Sequence, residues 1–133
     1  RKKGNEFMKK TLIKIFACFA VLCITVVGTY AASTSSTCYL NKGTYSVETS
    51  SVGVSTKATG SATNYSDSTN GINMTIMSAW TGWPYTVEYS TAVHPGDSYS
   101  KDVTQDRNSV FYLELENFSM YTGAHAKGTI SVD

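Results

Sequence analysis

From residue 38 onward the chain alternates between apolar and polar side chains with a period of two. Cys38 and Leu40 bracket Tyr39, and Tyr45 and Val47 alternate with Ser46 and Glu48. Val52, Val54, Thr56 and Ala58 fall on one face, with Ser55 and Lys57 on the other. The clearest stripe is Ile72, Met74, Ile76, Ser78 and Trp80, opposed by Asn73, Thr75 and Met77. Val87 with Tyr89, then Tyr99 with Lys101 and Val103, make shorter segments, the second weak enough to suggest a sheet edge. Phe111, Leu113 and Leu115 alternate with Tyr112, Glu114 and Glu116. Ala124 to Val132 closes the series. Successive side chains of a strand point to opposite faces, so eight such segments predict strands and not helices.

The residues between the segments are those of tight turns. Gly43 is a break, Asn70-Gly71 predicts a turn, and His94-Pro95-Gly96-Asp97 predicts another. Asp106-Arg107-Asn108-Ser109 reads as a polar turn, and Asn64–Asn70 and Thr81–Tyr85 as the longest irregular stretches. Turns at this spacing predict a small antiparallel β-sandwich of about 7–8 strands. No repeat or linker divides residues 32–133, which are expected to form one domain.

The first thirty residues break the pattern. Lys9, Lys10 and Lys14 lead into thirteen uncharged residues, Ile15 to Val27, followed by Thr29-Tyr30-Ala31. The run matches the ~7–15 residues of a secretory signal and falls short of the ~20 of a membrane span. A cleaved signal peptide over residues 1–31 is predicted, with Met8 as the initiator and residues 1–7 a mis-called start. The lysine-led signal suggests a bacterial source. No transmembrane span is expected, and the mature chain is expected to be secreted.

Composition supports the strand reading. Residues 32–133 hold 17 serines and 15 threonines, eight valines against three leucines, and eight tyrosines. Branched and aromatic side chains suit a pleated, half-buried surface. The same residues carry five basic against nine acidic side chains, a net charge of −4. A body of that sign has no general attraction for nucleic acid. Cys18 and Cys23 lie within the signal, so Cys38 is left alone. An internal disulfide is then excluded, and the fold must stand on its apolar core. Cys38 reads as a buried small hydrophobe, with a dimer through an intermolecular disulfide as the alternative.

Catalytic patterns are thin. No nucleophile elbow, zinc-protease helix or phosphate loop is present. Glu114 and Glu116 share a strand face and read as a solvated surface. Asp67 to Gly71 reads as a turn and not a calcium loop. The acceptor triplets at Asn64, Asn73 and Asn117 are discounted in a chain so rich in hydroxyls. No catalytic residue, metal site or cofactor is assigned, and the chain is not expected to be an enzyme.

The one cluster that suggests a ligand is Trp80-Thr81-Gly82-Trp83-Pro84-Tyr85. Trp80 continues the Ile72–Ile76 stripe and is expected to cap the core. Trp83 and Tyr85 are the candidate ligand-binding residues, an aromatic platform for a sugar ring, a peptide or a membrane headgroup layer. The expected function is a small secreted binding or cell-envelope interaction module. Its partner would be an extracellular glycan, peptide or envelope component. The alternative is a membrane-active or antibacterial, bacteriocin-like effector.

Overall fold

The computed structural model describes residues 33–133 except Ser119. The expected signal peptide lies outside the described residues. Seven strands follow in order: β1 (Ser35–Leu40), β2 (Ser46–Glu48), β3 (Val52–Asn64), β4 (Ile72–Ala79), β5 (Thr86–Val93), β6 (Ser98–Asn117) and β7 (Ala126–Val132). Every pairing is antiparallel, as the alternation predicts.

The sheet runs β1-β7-β3-β6-β4-β5, with β2 also on β6. It folds over on itself because its two longest strands change neighbours along their length. The first half of β6 pairs with β3, whose other edge carries β7 and then β1. The second half of β6 lies between β2 and β4, and β4 carries β5. Two layers result, joined through a bend in β3 and β6.

Irregular pairing marks the bend. The β3–β6 register shifts between Val52 and Ser55 and again between Ser55 and Lys57. Gly53 sits there at φ +129°, and a Cβ on it would lie 2.8 Å from the Ser109 carbonyl oxygen. Only glycine fits so close an approach at that backbone angle.

This bend corrects two expectations. Asp106 to Ser109 is not a turn, because β6 runs through it as one 20-residue strand. Nor do Val52, Val54, Thr56 and Ala58 share a face. Val52 and Ala58 are buried, whereas Val54 is 63% exposed, because the bulges re-aim the side chains between them.

Between the layers lie Leu40, Ala58, Ala62, Ala126 and Ile130 on one side. Ile72, Met74, Ile76, Phe111, Leu113 and Leu115 face them, all closed to solvent. Each fully buried large side chain contributes ~1.5–3 kcal/mol relative to exposure. The layers approach closely where β3 and β7 carry glycine. A Cβ on Gly60 would lie 2.5 Å from Ile76 Cδ1, and one on Gly128 2.5 Å from Leu113 Cδ2.

Cys38 points into this core and is 6% exposed. Burial pushes its thiol up to about 11. The hydrophobe reading holds, and a disulfide dimer through Cys38 would require β1 to leave the core.

The loops hold two further results. His94-Pro95-Gly96-Asp97 is a turn, closed by the Asp97 amide donating to the His94 carbonyl at 3.0 Å, with Gly96 at φ +87°. The turn expected at Asn70-Gly71 instead closes at Tyr65–Ser68. Gly71 is small because the Phe118 ring occupies the space where its Cβ would stand. Asn64 and Asn117 are closed to solvent, so neither acceptor triplet is accessible in the fold.

Candidate binding surface at the aromatic loop

The connection from β4 to β5 presents the tryptophans. The Trp83 amide donates to the Trp80 carbonyl at 3.0 Å, and Gly82 takes φ +82°, the third position of a tight turn that favours glycine. That turn brings the two indoles to 5.3 Å between ring centroids. Pro84 then restricts the chain ahead of Tyr85. The Tyr85 hydroxyl lies 2.9 Å from Ser51 Oγ, and its ring meets Tyr112 edge-on at 4.7 Å. Trp83 is 61% exposed and Tyr85 40%, so the fold leaves both aromatic surfaces open to solvent.

Trp80 does not cap the core. Strand β4 ends at Ala79, and Trp80 lies half-buried outside the core cluster. The stripe ends in Ser78, whose hydroxyl donates to Glu88 Oε1 at 2.6 Å. The Arg107 guanidinium lies 4.1 Å from the Trp80 ring centroid, a cation held against the electron-rich face.

Two open clefts of about 310 Å³ each adjoin Trp80. The first is lined mainly by polar residues, Ser78 and Thr86 with Gln105, Asp106, Arg107 and Ser109 from the β6 bend, around the Trp80 ring. The second is mostly apolar, formed by Trp83, Tyr85 and Ala79 together with Val54 and Val110 from the bend. Asn108, Thr81 and Gly82 complete it. The bend and the aromatic loop thus form one surface, with Trp80 shared by both clefts.

The sequence singles out Trp83 and Tyr85, and the structure places them together. It does not single out Val54, Gln105, Arg107 or Asn108. In the sequence Val54 falls on a core stripe, and the other three lie in or beside the stretch that reads as a turn. Gly53 inside a strand pattern is the local signal for the bulge that brings them here.

The other polar groups lie elsewhere. His125 Nδ1 faces Asp67 at 3.1 Å, and Lys42 Nζ is 3.1 Å from the same carboxylate. Hydrogen bonds from Lys42 and then from the His125 ring hold the Asp67 carboxyl below its ordinary value. Ser68 Oγ donates to the His125 carbonyl and accepts from its amide, so the hydroxyl is tied to the backbone and not to the ring. Glu114 lies opposite Glu48 across the β2–β6 pair. Burial first, then Glu116 and Glu48, push its carboxyl up. Among the described residues no three His, Cys, Asp or Glu side chains gather as metal ligands. No helix there is long and apolar enough to cross a membrane.

No family model matches the chain. No curated protein matches it in sequence. Among solved structures it is similar to PirA, at 12% identity and a TM-score of 0.47, over 78% of this chain and 97% of that one. It is also similar to murine APRIL at pH 8.0, at 10% identity and a TM-score of 0.42, over 74% and 99% of the two chains. A CBM4 structure aligns at 18% identity and a TM-score of 0.41, over 63% and 59%. Likenesses this distant say nothing about ligand or activity.

Proposed function

We propose that this chain is a secreted, non-enzymatic binding module whose aromatic loop stacks on a sugar ring of an extracellular or envelope glycan. One observation carries the reading: Trp83 and Tyr85, separated only by Pro84, stay exposed while Trp80, Tyr112 and Ser51 brace them. Leaving a large aromatic in water forgoes the stabilisation its burial would give. A rigid aromatic loses little conformational entropy when a ligand arrives. Sugar rings present a flat face of C–H groups to such a surface and hydroxyls at their rim. The polar side chains of the bend supply partners for those hydroxyls. The non-enzymatic part is supported by the placement of Cys38 in the core and of His125 against Asp67, away from the clefts. Export rests on the sequence of residues 8–31.

The test is affinity electrophoresis through gels containing a panel of neutral plant and bacterial polysaccharides. Retardation by at least one polymer is expected. Mobility unchanged across the whole panel would count against the reading.

A second reading is favoured by a different place. Met120 and Tyr121 are 94% and 71% exposed in the loop between β6 and β7. An apolar tip of this kind suits a membrane-active effector. Leakage from dye-loaded anionic liposomes, abolished by Met120→Ser, is the result that reading requires.

A further inference from the structure

The two clefts that share Trp80 differ in chemistry, and the polar one holds an unpaired cation. Arg107 is the sole arginine among the described residues. Its guanidinium rests 4.1 Å from the Trp80 centroid. A guanidinium lying over a ring face keeps its in-plane N–H donors available to other partners, which it can meet as a fork. Among the described residues no carboxylate lies within ion-pair distance of it. The lysines that pair do so elsewhere, Lys42 with Asp67 and Lys57 with Asp102 and Asp133. Asp106 lines the same cleft one residue away without closing on Arg107. Gln105, Ser109 and Thr86 add neutral hydrogen-bonding groups around it.

We propose that the site recognises a uronic acid within an otherwise neutral glycan. A sugar ring lies on the Trp83 face, and the carboxylate of a nearby uronic acid enters the fork of Arg107. This rests on the aromatic loop being a glycan platform and narrows what that platform takes. A planar carboxylate matches the guanidinium fork with two parallel hydrogen bonds, which a neutral hydroxyl cannot do. The charge balance limits the ligand further. A body carrying −4 with one free arginine at its site repels a densely charged polymer and accommodates a sparsely charged one.

The probes are glucuronoxylan, the same polymer with its carboxylates reduced to alcohols, and dextran sulfate as a dense polyanion. Isothermal titration is expected to show glucuronoxylan bound about 10- to 100-fold more tightly than the reduced polymer, as for a hydrogen-bonded ion pair. Dextran sulfate should bind no better than the reduced polymer. Arg107→Gln should remove the preference and keep the weaker binding; Arg107→Lys should keep only part of it. Equal affinity of the unaltered protein for both xylans overturns the inference, and that comparison needs no variant. Tighter binding to dextran sulfate than to glucuronoxylan also overturns it, as does an equal loss on both xylans in Arg107→Gln. The platform stands if Trp83→Ala weakens binding to both xylans alike while the preference is absent. Should the unaltered protein bind neither xylan nor any neutral glycan, the platform and this inference fall together.

Discussion

Asn117 Oδ1 accepts a 2.6 Å hydrogen bond from Asn70 Nδ2, and this contact ties three loops together. The same oxygen accepts from the Ala124 amide, while Asn117 Nδ2 donates to the carbonyls of Thr44 and Tyr45. With no solvent exposure, Asn117 serves as a buried bracket for the end of the sandwich away from the aromatic loop.

Asn117→Ala should therefore destabilise strongly. It takes the partner from the buried Ala124 amide, the half-buried Asn70 side-chain amide and the Thr44 carbonyl, while the Tyr45 carbonyl keeps the Asn117 backbone amide, and each unsatisfied buried group costs ~1–3 kcal/mol. Urea unfolding is expected to show a loss of at least ~3 kcal/mol. A loss below ~1 kcal/mol, the size of one ordinary hydrogen bond, would show that the bracket does not hold the loops.

Gly53→Ala tests the bend. The new Cβ would meet the Ser109 carbonyl at 2.8 Å, and the backbone there stands at φ +129°. Strained backbone of this kind costs ~1–3 kcal/mol, and the bend must shift to relieve it. The variant should lose stability by that amount and weaken any ligand that contacts Val54, Asn108 and Arg107. Unfolding and binding curves superimposable on those of the unaltered protein would contradict the role given to this glycine.

The alternation made the strand class, the core stripes and the Pro-Gly turn legible from sequence. It failed where strand geometry is irregular. Bulges at Gly53 to Lys57 break the period locally, so Val54 reads as core and the β6 bend reads as a turn. The same irregularity hides most of the binding surface. Trp83 and Tyr85 stand out because aromatics beside Gly and Pro are conspicuous. Arg107 becomes notable only when the fold sets it against Trp80. Trp80 reads as core because a stripe does not show that its strand ends one residue earlier, at Ala79.

Cys38 should resist chemistry in the folded protein. A thiol pushed up to about 11 and closed off from solvent forms little thiolate at neutral pH. Iodoacetamide should label it slowly in buffer and completely in denaturant, and mild oxidant should yield no dimer on a non-reducing gel. Rapid native labelling would place Cys38 outside the core.

Acid should act on stability in two opposed steps. Glu114 has its carboxyl raised above the ordinary 4.5, so the fold favours its protonated form. Its destabilising effect is full above that raised value and disappears as the pH falls through it toward 4.5. Asp67 and Asp102 are lowered from 3.8, so their contribution persists through that step and is lost as the pH falls through their lowered values. Urea midpoints measured across this range should show the first step vanish in Glu114→Gln while the second remains. A variant that keeps the first step would assign it to another group.

The most direct test of the whole account is the binding of Trp83→Ala to a polysaccharide that retards the unaltered protein, measured by isothermal titration. Because Trp83 is exposed, its removal should change unfolding free energy by no more than about 0.5 kcal/mol. Stacking of one ring on an aromatic face contributes ~0.5–1.5 kcal/mol beyond the apolar area it buries, so affinity should fall about tenfold. Unchanged affinity in a stably folded Trp83→Ala protein would contradict the claim that the aromatic loop is a ligand platform.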